Sequence, residues 1–144
     1  MKLLAAYDGS ENSAVALGRA IALAGEADAE LTVLHVLNPH TDAIDTDASS
    51  ASEGLSKVAT REQADAEELL KKLGNPPATL RIEAFEHGDD VAGHIAHVAR
   101  ESGADIVVVA SKHASGVQGL LLGSVAQSLL RLSPCPVLVV RPGD

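Results

Sequence analysis

The chain alternates between short unbroken apolar runs and longer stretches in which apolar residues return every third or fourth position. These are the signatures of buried strands and of helices with one buried face. Residues 2–7 form the first run, stopped by Asp8, Gly9 and Ser10, after which Ala14, Leu17, Ile21 and Ala24 repeat at helical spacing. Ser10 or Asn12 is the expected N-cap of that helix and Gly25 its expected C-cap residue. Residues 31–37 make a second strand. From 38 to 54 the pattern dissolves: Asp42, Asp45 and Asp47 stand among Thr, Ser and Ala with no hydrophobic period, the composition of a flexible surface loop. Leu55, Val58, Ala66, Leu69 and Leu73 then mark one face of a long helix ended by Gly74, Pro76 and Pro77. Residues 79–85 are the third strand. Gly88, Asp89 and Asp90 supply the turn and cap of a helix with inner face Val91, Ile95, Val98 and Ser102 and stop signal Gly103. Residues 106–110 are the fourth strand. A loop from Ser111 opens at Gly123 and Ser124 into a last helix (Val125, Ser128, Leu129, Leu132), and residues 136–141 are the fifth strand.

Strict alternation of strand and helix predicts an α/β sandwich, doubly wound, with a mostly parallel sheet and right-handed crossovers. Residues 1–144 read as one domain, without internal repeats. Composition narrows the function. Apolar residues make up 46% of the chain, yet the aromatics are only Tyr7 and Phe85. The core is therefore aliphatic, and the stacking platforms of single-strand nucleic acid binders are missing. With 11 Lys and Arg against 20 Asp and Glu, the net charge of −9 repels polyanions and anionic membranes. Neither nucleic acid nor membrane is an expected partner. The N-terminal apolar run is too short for a secretory signal and no run reaches spanning length, so a soluble, cytoplasmic protein is expected.

Candidate chemistry concentrates at the ends of strands one and four. In a doubly wound sheet, ligands lie beyond the carboxyl ends of the strands, where the strand order reverses. If strand four lies beside strand one, Asp8 and the loop after Ala110 form the two lips of one crevice. The small-residue loop emptying into a helix at Gly123 and Ser124 offers amide hydrogens and the positive end of a helix dipole to an anion. Each residue also has a structural reading: Asp8 as a brace of the Gly9 turn or a helix cap, Ser124 as a cap of the last helix. Among the histidines, His87, His94 and His97 with Asp90 are spaced for zinc, but the buried stripe leaves His94 and His97 toward its edge or solvent, against a metal site. His35, inside a strand, reads as a hydrogen-bonded core residue. The 42–47 aspartates lack the glycine and terminal glutamate of a calcium loop. The lone Cys135 reads as a small buried hydrophobe, and no nucleophile with an adjacent base emerges.

Several segments together carry a family resemblance: the first strand ending in Asp8, Gly9 and Ser10; LHV at 34–36; Gly88 ahead of the third helix; GADIVVVAS at 103–111; LLLGSVAQSLL at 120–130 followed by SPCPVLVVR. In order and spacing the chain resembles the universal stress proteins over nearly its whole length. That resemblance implies a three-layer Rossmann-like fold of the adenine nucleotide alpha-hydrolase-like type, with a five-stranded sheet ordered 3-2-1-4-5, and a homodimer. Its ATP-binding branch carries G-x2-G-x9-G-[ST]; here Gly123 and Ser124 match the tail, whereas Ala110 and His113 replace the first two glycines. Ala110 adds one methyl group, tolerable where φ is negative. The His113 ring either obstructs the phosphate space or donates a hydrogen bond to it, as Lys112 beside it can. Gly116 and Gly119 stand at the wrong spacing to restore the motif. The resemblance further implies a nucleoside contact from Asp8, an adenine contact from the backbone of Val36, and phosphate contacts from Gly123 and Ser124.

Two functions remain open on these residues. One is a regulatory stress-response module that binds an adenine nucleotide, ATP with Mg²⁺, without being an enzyme beyond incidental slow hydrolysis. The other is a dimeric interaction module of the same fold with a closed crevice. In either case the last strand is an apolar sheet edge, and pairing of Val137–Val140 with its symmetry mate is the expected homodimer contact.

Overall fold

The computed structural model describes residues 1–42, 50–86, 89–112 and 121–142. Strands and helices alternate as β1 (Lys2–Ala6), α1 (Glu11–Ala27), β2 (Glu30–Leu37), α2 (Ala51–Lys72), β3 (Thr79–Ala84), α3 (Val91–Ser102), β4 (Ile106–Ala110), α4 (Ser124–Leu132) and β5 (Val137–Val140). Among the described residues the five strands pair in parallel, in the order β3-β2-β1-β4-β5. Successive strand residues point to opposite sheet faces, so each unbroken apolar run feeds two cores. Leu4, Leu34, Val36, Val107 and Val109 pack with Ile95, Val98, Ala126 and Leu129 of α3 and α4. On the other face Leu3, Ala5, Leu31, Val33 and Val108 meet Leu17, Ala20, Ala66 and Leu70 of α1 and α2. Leu129 is fully buried, and truncating such a side chain to alanine costs about 2–5 kcal/mol.

The structure moves several of the expected boundaries. Ser10 caps α1, its hydroxyl accepting from the Ser13 N–H. Gly25 does not end the helix; it lies on the exposed side, and the turn closes at Asp28, φ 51°, with the Ala29 N–H on the Ala24 carbonyl. Aspartate is among the residues that tolerate this left-handed conformation. The 38–54 loop is shorter than expected, because Ser50 accepts from the Glu53 N–H and α2 starts at Ala51. Asn38 and Asp42 hydrogen-bond across a turn at the loop's start; residues 43–49, with Asp45 and Asp47, fall outside the described residues. The last strand runs over 137–140 rather than 136–141. At α3 the structure follows the expectation, with Asp90 accepting from Gly93 N–H and Gly103 closing the helix at φ 67°.

Candidate functional site

Strand β1 feeds β2 on one side while β4 lies on its other side, so the chain's winding reverses between β1 and β4. A cavity of about 530 Å³ opens at their carboxyl ends, where such sheets hold ligands. Asp8 and Ser10 form one lip; Ala110, Ser111 and Lys112 form the other with Gly123 and Ser124; Val36 and Ile95 line its interior. The amide of Asn12 reaches the Ser111 carbonyl at 3.5 Å, tying the lips together.

The two helix N-termini at this cavity differ. At α1 the end is closed by side chains. Asp8 Oδ1 accepts from the Ser10 N–H at 2.9 Å and the Ser13 hydroxyl at 2.8 Å, and Ser10 caps Ser13. Burial raises the Asp8 pKa, but hydrogen bonds from Ser10 and Ser13 and the nearby His35 outweigh it and hold the carboxyl below its ordinary value. The bracing role of Asp8 is therefore real, and it coexists with its place on the rim. At α4 the N-cap is Gly123, which offers no side-chain cap. The first intrahelical bond runs from Gln127 N–H to the Gly123 carbonyl, leaving the N–H groups of Ser124, Val125 and Ala126 without helical partners. Ser124 is the first helical residue and not its cap. Lys112 bridges backbone to backbone with Leu121, and its aliphatic stem lies 3.9 Å from where a Gly123 Cβ would stand. Its ammonium has no ion-pair partner among the described residues.

Val36 gains its place from register. The Tyr7 N–H on the Leu34 carbonyl lies just past the β1 register, which ends at Ala6 opposite Leu34. Two residues on, Val36 directs its N–H and C=O to the same side, past the end of β1 and toward the cavity. Ala110 is in regular strand conformation, without positive φ, so its methyl group is accommodated. His113, Gly116 and Gly119 lie outside the described residues, as do His87 and Gly88.

A universal stress protein family model matches residues 1–141. The chain belongs to the universal stress protein family. It is 33% identical over 149 aligned positions to universal stress protein YxiE of Bacillus subtilis, covering 97% of this chain and 98% of that protein. The fold matches UspA of Lactobacillus plantarum with TM-score 0.76 at 18% identity, covering 98% and 97% of the two chains. Two further structures share the fold: a universal stress protein in complex with cAMP (TM-score 0.68, 23% identity, 99% and 98% covered) and one from Archaeoglobus fulgidus in complex with dAMP (TM-score 0.59, 21% identity, 96% and 96% covered).

In this universal stress protein His94 and His97 lie at the edge of the buried stripe and in solvent, as expected. His94 is mostly buried, its Nε2 2.8 Å from Glu83 Oε1 on β3, while His97 is exposed and pairs with Glu101. Among the described residues no three His, Cys, Asp or Glu converge as metal ligands. His35 is buried as expected, but its Nδ1 has no hydrogen-bond partner. The ring stacks edge-on against Tyr7, centroids 5.8 Å apart, and burial lowers its pKa against the opposing pull of Glu62, Asp8 and Asp42. Cys135 is partly buried against the α3 and α4 core. No helix among the described residues is long and apolar enough to cross a membrane.

Proposed function

We propose that this protein is a cytoplasmic regulatory module that binds an adenine nucleotide in the 530 Å³ cavity, acting through occupancy and not turnover. The observation that carries the reading is the uncapped N-terminus of α4 facing that cavity. Three helix-terminal amides, a dipole and the Lys112 ammonium suit a phosphate group. A volume of this size suits a nucleotide. Neighbours of the same fold that carry cAMP and dAMP support the choice of adenine.

In this reading Gly123, Ser124 and Lys112 take the phosphates and Ala110 lets the chain pass close beneath them. Asp8 faces the nucleoside hydroxyls. The N–H and C=O of Val36 match a donor and an acceptor on the adenine edge. Mg²⁺ would arrive chelated by the ATP phosphates. Bound, it would offset phosphate charge.

Calorimetry of MgATP on protein stripped of small molecules tests the proposal. Saturable binding at one site per chain is expected. Absence of both heat and thermal stabilisation up to roughly 1 mM nucleotide would instead support an interaction module with no nucleotide.

The module is proposed to work as a homodimer. Among the described residues β5 pairs with β4 alone and carries the exposed Leu138, leaving the outer edge of Val137–Val140 for a second copy. Light scattering at micromolar concentration should give twice the chain mass; a monomer would remove the dimer.

A further inference from the structure

Beneath α2, on the sheet face opposite Val36, lies a second cavity of about 230 Å³ bounded by Asp8, His35, Asp42, Arg61 and Glu62. It has three carboxylates and one guanidinium. Arg61 is largely exposed and leans on Glu62 Oε1 at 3.6 Å, so the walls carry about two uncompensated negative charges. His35 is only 6% exposed, and its Nδ1 finds no hydrogen bond. That atom stands 3.9 Å from Glu62 Oε2, too far for a hydrogen bond between them. A single N–H donor group lying about 2.8 Å from each would satisfy both. Burial keeps the imidazole neutral, so it can offer a lone pair.

We propose that this smaller cavity binds a short aliphatic diammonium ion, one ammonium bridging His35 Nδ1 and Glu62, the other directed to the carboxylates of Asp8 and Asp42. Charge decides for a dication. The donor set decides against a bare metal ion, since among the described residues the acidic and imidazole groups do not converge for direct coordination. The volume holds roughly seven water-sized groups at about 30 Å³ each, the size of a four-carbon diamine. Leu37 and Val58 supply an apolar wall for its methylene chain. Asp8 borders both cavities, so the diamine is tested on protein free of nucleotide.

The test is calorimetry of 1,4-diaminobutane with the full chain at near-neutral pH and physiological salt, together with the nitrogen NMR signal of His35. Expected are saturable binding at one site, a His35 Nδ1 shift on saturation, and affinity about tenfold weaker in Glu62→Gln. Glu101→Gln removes the same charge from α3 on the opposite face and should leave affinity unchanged. n-Butylamine should bind at least tenfold more weakly than the diamine. An equal loss in Glu101→Gln would mean bulk attraction to an acidic surface. Displacement by Mg²⁺ at equal concentration would assign the cavity to a hydrated divalent cation. Either result, a silent His35 signal, or no saturable binding up to roughly 10 mM diamine would overturn the proposal. The His35 signal, read on the unmodified protein, decides the matter even if Glu62→Gln does not fold.

Discussion

Helices α1 and α4 start at the same cavity, and their first turns are built to opposite ends. At α1 the sequence Asp8-Gly9-Ser10 folds its own side chains over the amides, so the helix end is satisfied internally. At α4 the cap is a glycine, and three N–H groups face the cavity with a lysine stem packed beside them. Equal dipoles thus serve different ends: the first anchors the rim, while the second is left to be satisfied from outside. The difference resides in single side chains, which makes it possible to exchange the two ends by mutation.

The largest effect is expected from closing α4. Gly123 has φ −73°, and an added Cβ would meet only Lys112 carbons at 3.9 Å, so Gly123→Asp fits the backbone. Its carboxylate should cap the helix, stabilising the protein by about 0.3–1 kcal/mol, mostly through the dipole because glycine is itself a fair cap, while weakening nucleotide binding about 100-fold or more through competition and charge. Melting and titration of one sample read both. Opposite signs would sharpen the comparison; loss of stability and affinity together would break it.

Opening α1 should act in the reverse sense. Ser10→Ala removes the cap and should cost about 1 kcal/mol in denaturant unfolding, with less than about a threefold change in nucleotide affinity. A large affinity loss at unchanged stability would mean that Ser10 contacts ligand and is not a cap.

The smallest effect concerns pH. Because the folded Asp8 carboxyl titrates below its ordinary value of 3.8, its contribution is fully present above that pH and is lost as pH falls through the lower folded value. The stability gap between wild type and Asp8→Asn should therefore be constant from neutrality to about pH 5 and shrink below about pH 4. A gap that widens on acidification would contradict the hydrogen-bonded brace.

Elements whose signals are local were readable. Asp90 and Gly103 bracket α3 by cap chemistry, and the apolar runs announce five strands. The start of α2 was readable too, in the capping-box spacing Ser50-Ala51-Ser52-Glu53, but the surrounding loss of hydrophobic period obscured it. Gly25 misled because a solvent-facing glycine mid-helix costs too little to end a helix held by its neighbours. At the site, Asp8, Val36, Ala110, Lys112, Gly123 and Ser124 were legible as one crevice because the family resemblance implied the strand order that the structure shows. What escaped was long-range: His94 with Glu83 across eleven residues, Asn12 with Ser111 across ninety-nine, and the unpaired His35 opposite Glu62. Such pairs depend on packing of distant elements and leave no mark in a local pattern.

The most direct test follows backbone amide signals by NMR while MgATP is added to ligand-free protein. The largest shifts are expected at residues 124–126 and at Val36, with Glu11, Asn12 and Ser13 at the closed end of α1 moving little. Shifts concentrated at α1, or confined to surfaces away from the crevice, would contradict it.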